Sequence, residues 1–268
     1  TFAQATSSST KVDYCGPVSK PSPKRLGPGC GFVLALGLLP AMMAFRSAVY
    51  ESFYVPTGSM EPSLRIGDRV TAAKFAYGWR IPFTRIPLGS LKAPQRGDIV
   101  VFTLPKAEDK GAWWTDLDIA GLVPSNDYIK RVVAVPGDKV AVKDGELVLN
   151  GKRLRATDEG PYRYVDHECE PMQTRRFAVG GSSDGHVILK ASNARNRRSD
   201  WGPKTVPKGH VFVLGDNRDR SKDSRSYGFV PIRDIKAKAT RVWASLPLCT
   251  PGDAMPQVRW KRVGKRLD

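Results

Sequence analysis

The chain has 268 residues, of which 41% are hydrophobic, so it is long and apolar enough for one large or two small packed domains. Its 21 prolines and 25 glycines argue against an architecture of long helices, because both residue types favour turns. The formal net charge of +17 fits a solvated basic surface or contact with anionic lipid, whereas the short basic runs match no nucleic-acid-binding motif.

The first 50 residues divide into a polar tail and an apolar run. Residues 1–29 are rich in Ser, Thr, Pro and Lys, which predicts a disordered basic tail. Residues 30–45 carry no charge, and a helix continued to residue 50 reaches the roughly 20 residues that a membrane span needs. Basic residues before this run predict a cytoplasmic N-terminal side. We predict one transmembrane anchor at 30–50; a buried core helix and a cleaved signal peptide are the alternatives.

Beyond residue 50 the sequence changes to short apolar segments separated by turns. Segments 98–102, 128–135 and 210–214 are compact and apolar, which is typical of buried strands. Asp-Gly and Asn-Gly turns between residues 143 and 152 predict β-hairpins. A helical period of 3.6 is not sustained after the anchor, so we predict a mainly β domain at 51–250.

Two stretches are less regular than the rest. Residues 156–205 mix acidic, basic and Gly/Ser-rich segments, which predicts a loop-rich insertion with one or two strands, for instance at 186–190. Residues 251–268 predict a basic C-terminal tail.

The four cysteines stand at positions 15, 30, 169 and 249. They form no CxxC pair, and only His167 lies near one of them, which argues against a zinc site. Cys169 and Cys249 would share a compartment if the chain beyond the anchor is exported. A disulfide between them is one possibility, because spacing alone cannot set connectivity.

A serine stands between turn residues at the start of the predicted β domain. Ser59 lies in the segment VPTGSMEPSL at 55–64, where flanking prolines would hold it on a rigid turn. Taken alone it is a weak candidate for a nucleophile, because most loop serines only make turn hydrogen bonds.

A lysine interrupts a strand that is otherwise suited for burial. Lys130 lies in the segment DYIKRVVAVPGD at 127–138, and a solvent-facing lysine is the commoner alternative. Burial would disfavour the ammonium and lower its pKa, so that the neutral amine could accept a proton. Arg131 stays charged and points to the opposite face of the strand.

A third segment, GDNRDRSKDSRSYGFVP at 215–231, combines acids, bases and small residues at unusual density after an apolar strand. Its Asp and Arg residues predict a fixed ion-pair scaffold. None of the three histidines lies in the serine, lysine or acid-rich segments, which argues against a Ser-His-Asp triad and leaves Lys130 as the available base.

Together the three segments resemble those of the bacterial type I signal peptidases, the Ser–Lys proteases of the inner membrane. The segments KFAYG at 74–78 and RGDIVVF at 96–102 match as well, and the order along the chain agrees. The resemblance implies one N-terminal transmembrane helix, followed along the chain by a mainly β, signal-peptidase-like antiparallel fold. It also implies a serine endopeptidase that needs neither a metal nor an organic cofactor.

The resemblance assigns a role to each matching residue. Ser59 is the nucleophile and Lys130 the general base, and Ser221 orients the lysine amine. The oxyanion donors are the Ser59 amide and the Thr57 hydroxyl, Thr57 standing where the family usually has a serine. The structural scaffold under the site consists of Asp216, Arg218, Asp223 and Arg225. The walls of the pockets for small substrate side chains are Phe53, Val55, Met60, Leu64, Tyr128 and Ile129.

The implied activity is cleavage of N-terminal signal peptides from exported preproteins after small residues of the A-x-A kind, through an acyl-enzyme. The implied partners are signal peptides and membrane phospholipid. The enzyme would act as a monomer in the inner membrane, spanning it once, with the catalytic domain on the extracytoplasmic side. Trp79, Trp113 and Trp114 are candidates for the membrane interface, with core packing as an equal alternative.

Two other functions stay open. The first is a conjugative-transfer relative that processes a pilin, which would keep the nucleophile but change the substrate. The second is a membrane-tethered binding protein on a degraded protease scaffold, which the presence of both Ser59 and Lys130 disfavours.

Overall fold

A computed structural model describes residues 50–84, 86–104, 127–180, 185–192, 200–250 and 255–267, with single positions at 37, 38, 42 and 49. Within that part of the chain, no helix is both long enough and apolar enough to cross a membrane. The predicted tail at 1–29, most of the predicted anchor at 30–50, and Trp113 and Trp114 lie outside the described residues.

Strands dominate the described residues, as the sequence predicts. In chain order they are β1 (Tyr50–Tyr54), β2 (Asp68–Ala73), β3 (Ile99–Thr103), β4 (Asp127–Ala134), β5 (Lys139–Lys143), β6 (Glu146–Leu149), β7 (Lys152–Arg153), β8 (Ala156–Val165), β9 (Pro171–Val179), β10 (His186–Ala191), β11 (Trp201–Thr205), β12 (His210–Leu214), β13 (Val230–Pro231) and β14 (Ile235–Ser245). A single short α-helix, Ser224–Tyr227, accompanies several 3₁₀ turns in the same part of the chain.

The strands form three sheets, and every ladder between named strands is antiparallel. A seven-stranded sheet has the order β1-β2-β14-β3-β4-β12-β13. A three-stranded sheet has the order β10-β9-β8, and a four-stranded sheet the order β11-β5-β6-β7. This arrangement confirms the prediction of a mainly β, antiparallel fold.

The core lies along the central strands of the seven-stranded sheet. Val100, Phe102, Val132 and Val213 are completely buried there. The predicted hairpins form because Asp144, Asn150 and the glycines after them adopt positive φ, which two-residue hairpin turns require. Local turn chemistry and apolar composition therefore account for the strands that the sequence predicts.

The segment 156–205 contains more strand than the sequence predicts. It forms β8, β9, β10 and β11 instead of one or two strands in loops. The exposed faces of β8 and β9 carry charges that pair across the ladder, such as Asp158 with Arg175 at 2.5 Å. These charges hide the alternation of apolar residues on which a strand prediction depends.

Long-range contacts tie the residues beyond β14 to the rest of the domain. Cys169, in the turn between β8 and β9, forms a disulfide with Cys249, beyond β14. The C-terminal residues pack on the domain instead of extending from it as a tail: Leu267 is 5% exposed. Arg262 pairs with the buried Asp68 and donates to the Ser63 carbonyl at 3.1 Å. Burial of Asp68 requires such a partner, which no local pattern in the sequence indicates.

Candidate active site

Ser59 lies on a 3₁₀ turn, Gly58–Met60, between β1 and β2. The turn is held at one end by Met60, which is 1% exposed, while Ser59 remains half-buried. Thr57 precedes the turn in an extended conformation, and its side chain is exposed and makes no capping hydrogen bond. The serine hydroxyl is therefore presented by a short turn anchored in the core.

Lys130 lies in β4, next to β3 in the central sheet, and is 4% exposed. Its Nζ donates to Ser59 Oγ at 2.8 Å and to the Ile129 carbonyl oxygen at 2.8 Å. The alternative of a solvent-facing lysine is therefore wrong.

The environment of Lys130 favours its neutral form. Burial lowers the pKa of its amine to about 8, and this effect outweighs the carboxylates of Asp223 and Asp216, which raise the pKa. A neutral amine within hydrogen-bond distance of a hydroxyl can accept that proton as the oxygen attacks.

Asp216 forms a buried ion pair with Arg131 near the site. Arg131 donates to both of its carboxylate oxygens, from Nε at 2.9 Å and from Nη2 at 2.7 Å. The Arg131 guanidinium also contacts Ser63 Oγ at 3.1 Å and the Gly97 carbonyl oxygen at 2.8 Å. Burial raises the pKa of Asp216, but Arg131 reverses this and the net shift is downward. Arg131 thus ties β4 to three other segments around the site.

A second pair lies in the same acid-rich segment. Arg225 donates to Asp223 from Nε at 2.8 Å and also contacts the Arg218 carbonyl oxygen. Asp223 accepts from the Gly215 amide at 3.1 Å. Arg218 is 4% exposed, and burial lowers its pKa to about 10. The four predicted scaffold residues therefore lie in one cluster of charges, in which Asp216, Asp223 and Arg225 all act electrostatically on Arg218.

Ser221 differs from the role that the family resemblance implies. It is completely buried, but the amine of Lys130 donates to Ser59 and Ile129, and no hydrogen bond from Ser221 to Lys130 is formed. The Ser221 hydroxyl has no partner with hydrogen-bond geometry among the described residues. It lies close enough to the Asp223 carboxylate to help lower the pKa of that group. Ser221 therefore lies beside Asp223 in this structure and does not orient the lysine amine by a hydrogen bond.

Gly215 explains why the acid-rich segment begins with a glycine. A Cβ at this position would overlap the side chain of Ser221 and the carbonyl oxygen of Ser59. The absence of a side chain lets this segment approach the nucleophile turn closely.

Asn217 contacts the nucleophile turn, a role that sequence reasoning missed. Its backbone N–H donates to the Ser59 carbonyl oxygen at 3.1 Å. Its side-chain Nδ2 donates to the Gly58 carbonyl oxygen at 3.0 Å. Tyr164 of β8 accepts from the same Nδ2 at 2.8 Å. Asn217 could have been identified from the sequence, because it lies within the acid-rich motif. Nothing in the sequence around Tyr164 indicates a role at the site.

The predicted pocket walls separate into three groups. Val55, Met60 and Leu64 share one buried cluster, against which Ile129 packs. Phe53 belongs to a second cluster that also contacts Ile129. Tyr128 packs elsewhere, in the cluster that contains Phe102. Four of the six predicted wall residues therefore lie in the two clusters against which Ile129 packs, and Tyr128 does not join them.

His186 is the one histidine close to the buried network. Burial lowers its pKa to about 4, although Asp216 acts in the opposite direction. In the described part of the chain, no group of three or more His, Cys, Asp or Glu side chains is arranged to hold a metal ion.

Comparison with known proteins identifies the family. The family model described as "Signal peptidase, peptidase S26" matches residues 30–244. Signal peptidase I of Pseudomonas aeruginosa is 34% identical over 217 residues, which cover 77% of this chain and 69% of that protein. Signal peptidase I of Aquifex aeolicus is 30% identical over 260 residues, covering 84% of this chain and 89% of that protein.

A solved structure of a signal peptidase I from Enterococcus faecalis V583 is 25% identical and covers 56% of this chain and 100% of that chain, with a TM-score of 0.28. That score is too low to bear on the fold. The family model and the two relatives identify the family without that structure. The chain belongs to the signal peptidase family, as a bacterial type I signal peptidase, a serine peptidase that cleaves signal peptides.

Proposed function

We propose that Ser59 and Lys130 form the catalytic dyad with which this enzyme removes signal peptides from exported preproteins. The observation that carries the proposal is the 2.8 Å contact between Lys130 Nζ and Ser59 Oγ. Burial of the amine supports it, because a lysine with a lowered pKa can act as a base near neutral pH.

The mechanism has two halves. In acylation, neutral Lys130 takes the Ser59 proton while Oγ attacks the scissile carbonyl carbon, and the Ser59 amide and the Thr57 hydroxyl stabilise the oxyanion. One such donor typically contributes about 3 kcal/mol to transition-state stabilisation. The tetrahedral intermediate then collapses, and the Lys130 ammonium gives its proton to the departing amine of the mature protein. An acyl-enzyme remains on Ser59.

In deacylation, a water molecule attacks the acyl carbon and gives its proton to Lys130. The second tetrahedral intermediate releases the signal peptide as a carboxylic acid, and the proton on Lys130 returns to Ser59 Oγ. The lysine thus serves as base and acid in turn within each half, and needs no histidine.

The expected specificity for small residues is supported by the walls around Ile129. Val55, Met60 and Leu64 are each no more than 4% exposed and share one apolar cluster beside the nucleophile turn, which suits small apolar side chains better than large or charged ones. We propose that the residues at positions −1 and −3 of the preprotein are small, as in the A-x-A pattern.

Contact with membrane phospholipid is supported by an apolar surface on the domain. Phe75 and Trp79 stack with ring centroids 5.9 Å apart, and Trp79 is 54% exposed. Leu88 in the following loop is 68% exposed. We propose that this surface and the predicted anchor hold a monomeric enzyme at the extracytoplasmic face of the inner membrane.

A pair of matched preproteins tests the substrate. One carries Ala at positions −1 and −3, and the other carries Phe at both. We expect the enzyme to cleave the first at the signal-peptide junction and to leave the second intact, because a phenyl ring does not fit shallow pockets. Ser59→Ala, assayed beside the parent, controls for a contaminating protease. Equal cleavage of both preproteins would contradict the proposed specificity.

The pH profile tests the base. Only the neutral amine of Lys130 accepts a proton, so kcat/KM should rise about tenfold per pH unit below the lysine pKa and level off above it. We expect the midpoint near the pKa of about 8. Far-UV circular dichroism at each pH separates loss of activity from unfolding. A flat profile, or a midpoint at the ordinary pKa of histidine, would exclude Lys130 as the base.

A further inference from the structure

The nucleophile turn contacts a residue of the three-stranded sheet, β10-β9-β8. Tyr164, near the end of β8, is half-buried, and its hydroxyl accepts a hydrogen bond from Asn217 Nδ2 at 2.8 Å. Its ring also packs closely on the turn, because a Cβ added to Gly58 would lie 3.1 Å from Tyr164 Cε2. Tyr164 therefore touches both the turn and the residue that binds the turn.

Asn217 transmits this contact to the backbone on both sides of Ser59. Its Nδ2 binds the Gly58 carbonyl oxygen at 3.0 Å, and its backbone amide binds the Ser59 carbonyl oxygen at 3.1 Å. The two peptide planes that flank the Ser59 Cα are thereby fixed, and planar peptides leave only φ and ψ free between them. Those two angles set the direction of the Ser59 Cα–Cβ bond, from which Oγ reaches Lys130.

The Tyr164 hydroxyl also sets the orientation of the Asn217 side chain. Asn217 is 1% exposed, and Nδ2 uses both of its protons, one on Gly58 and one on Tyr164. Without the hydroxyl, one buried N–H would lose its acceptor, which is unfavourable enough to shift the amide.

The three-stranded sheet is itself held against the site at several points. Tyr162, on the same face of β8, donates to Glu61 Oε2 at 2.9 Å, just beyond the turn. The Leu189 amide of β10 donates to the Asp216 carbonyl oxygen at 2.8 Å. The disulfide between Cys169 and Cys249 fixes the turn that follows β8. Tyr164 is thus presented by an element that has little freedom to move.

We propose that Tyr164 is a positioning residue for the nucleophile, acting through Asn217 on the Gly58–Met60 turn. The three-stranded sheet then contributes to catalysis as well as to folding. This inference rests on the proposed role of Ser59 as nucleophile. It assigns to Tyr164 no contact with substrate.

The test is Tyr164→Phe in the full-length enzyme, solubilised in detergent and assayed with the Ala-type preprotein. We expect kcat to fall about tenfold with KM unchanged, because the ring stays in place and only the orientation of Ser59 loosens. The midpoint of the pH profile should not move, since the Lys130 amine donates to Ser59 Oγ and the Ile129 carbonyl oxygen and not to Tyr164 or Asn217. Tyr164→Ala, which also removes the ring, should lower kcat on the order of 100-fold.

Thr157→Val is the matched control, because it removes a hydroxyl from the exposed face of the same strand; its kcat should equal that of the parent. If Tyr164→Phe has the kcat of the parent, the inference is wrong. It is also wrong if the pH midpoint moves upward together with the loss of kcat, because that result means general opening of the site. Ser59→Ala distinguishes failure of the proposed function from failure of this inference. If Ser59→Ala is active, the proposed function is wrong. If Ser59→Ala is inactive and Tyr164→Phe cleaves like the parent, only the role of Tyr164 is wrong.

Discussion

Ser59→Ala and Lys130→Met each lower the cleavage rate by on the order of 10⁴-fold or more, the scale expected for loss of a nucleophile or of its base. Alanine at position 59 leaves no atom to form the acyl-enzyme. Methionine at position 130 keeps the length of the lysine side chain but cannot accept a proton. Single-turnover cleavage of a preprotein, followed by gel electrophoresis and mass spectrometry, measures both.

Lys130→Met should lose activity without losing stability. Burial lowers the Lys130 pKa from an ordinary value of 10.5 to about 8, so folding at neutral pH carries a cost for the buried ammonium. That cost is absent above the unfolded pKa and is complete below the folded pKa, where it is on the order of 3 kcal/mol. We therefore expect Lys130→Met to be at least as stable as the parent at pH 7, although inactive.

Matched substitutions at exposed positions check that the losses are specific. Lys143→Met, in β5, and Ser90→Ala replace exposed residues of the same types, and both should cleave like the parent. The dyad is excluded if either Ser59→Ala or Lys130→Met retains the activity of these controls. A folded but inactive Lys130→Met, by contrast, identifies the lysine as chemically required instead of structurally required.

Asp216→Asn destabilises the folded protein by about 3–5 kcal/mol, the usual result of removing one partner from a buried ion pair. The side chains of Asp216 and Arg131 are 1% and 8% exposed, so water cannot replace the lost carboxylate charge. Asparagine keeps the shape of the side chain, which separates the effect of charge from that of packing. The midpoint of urea unfolding, followed by tryptophan fluorescence, measures the change in the free energy of unfolding.

An exposed pair supplies the comparison for this second prediction. Asp144→Asn weakens a contact with Arg153 in which the side chains are 74% and 49% exposed, and its effect should stay below about 0.5 kcal/mol. If Asp216→Asn changes stability as little as Asp144→Asn does, the Asp216–Arg131 pair is not a support of the site. Activity in Asp216→Asn should also fall, because Arg131 holds Ser63 and Gly97 near the nucleophile turn.

The sequence by itself determined the class of the fold and the pair of residues proposed for catalysis. Apolar composition predicted β3 and β4, and Asp-Gly and Asn-Gly turns predicted the hairpins, because these signals act between neighbours along the chain. Ser59 and Lys130 were found because motifs of the family surround each of them. The anchor at 30–50 stays a prediction, since most of it lies outside the described residues.

Only the tertiary structure decided which residues support that pair. Arg131 meets Asp216 across 85 residues, Asn217 meets Gly58 across 159, and Arg262 meets Asp68 across 194. Such contacts depend on which strands become neighbours in a sheet, and no local pattern records that order. For the same reason the sequence does not indicate the role proposed for Tyr164. In β8, half-buried tyrosines alternate with exposed residues, and only the contact between the three-stranded sheet and the nucleophile turn distinguishes Tyr164.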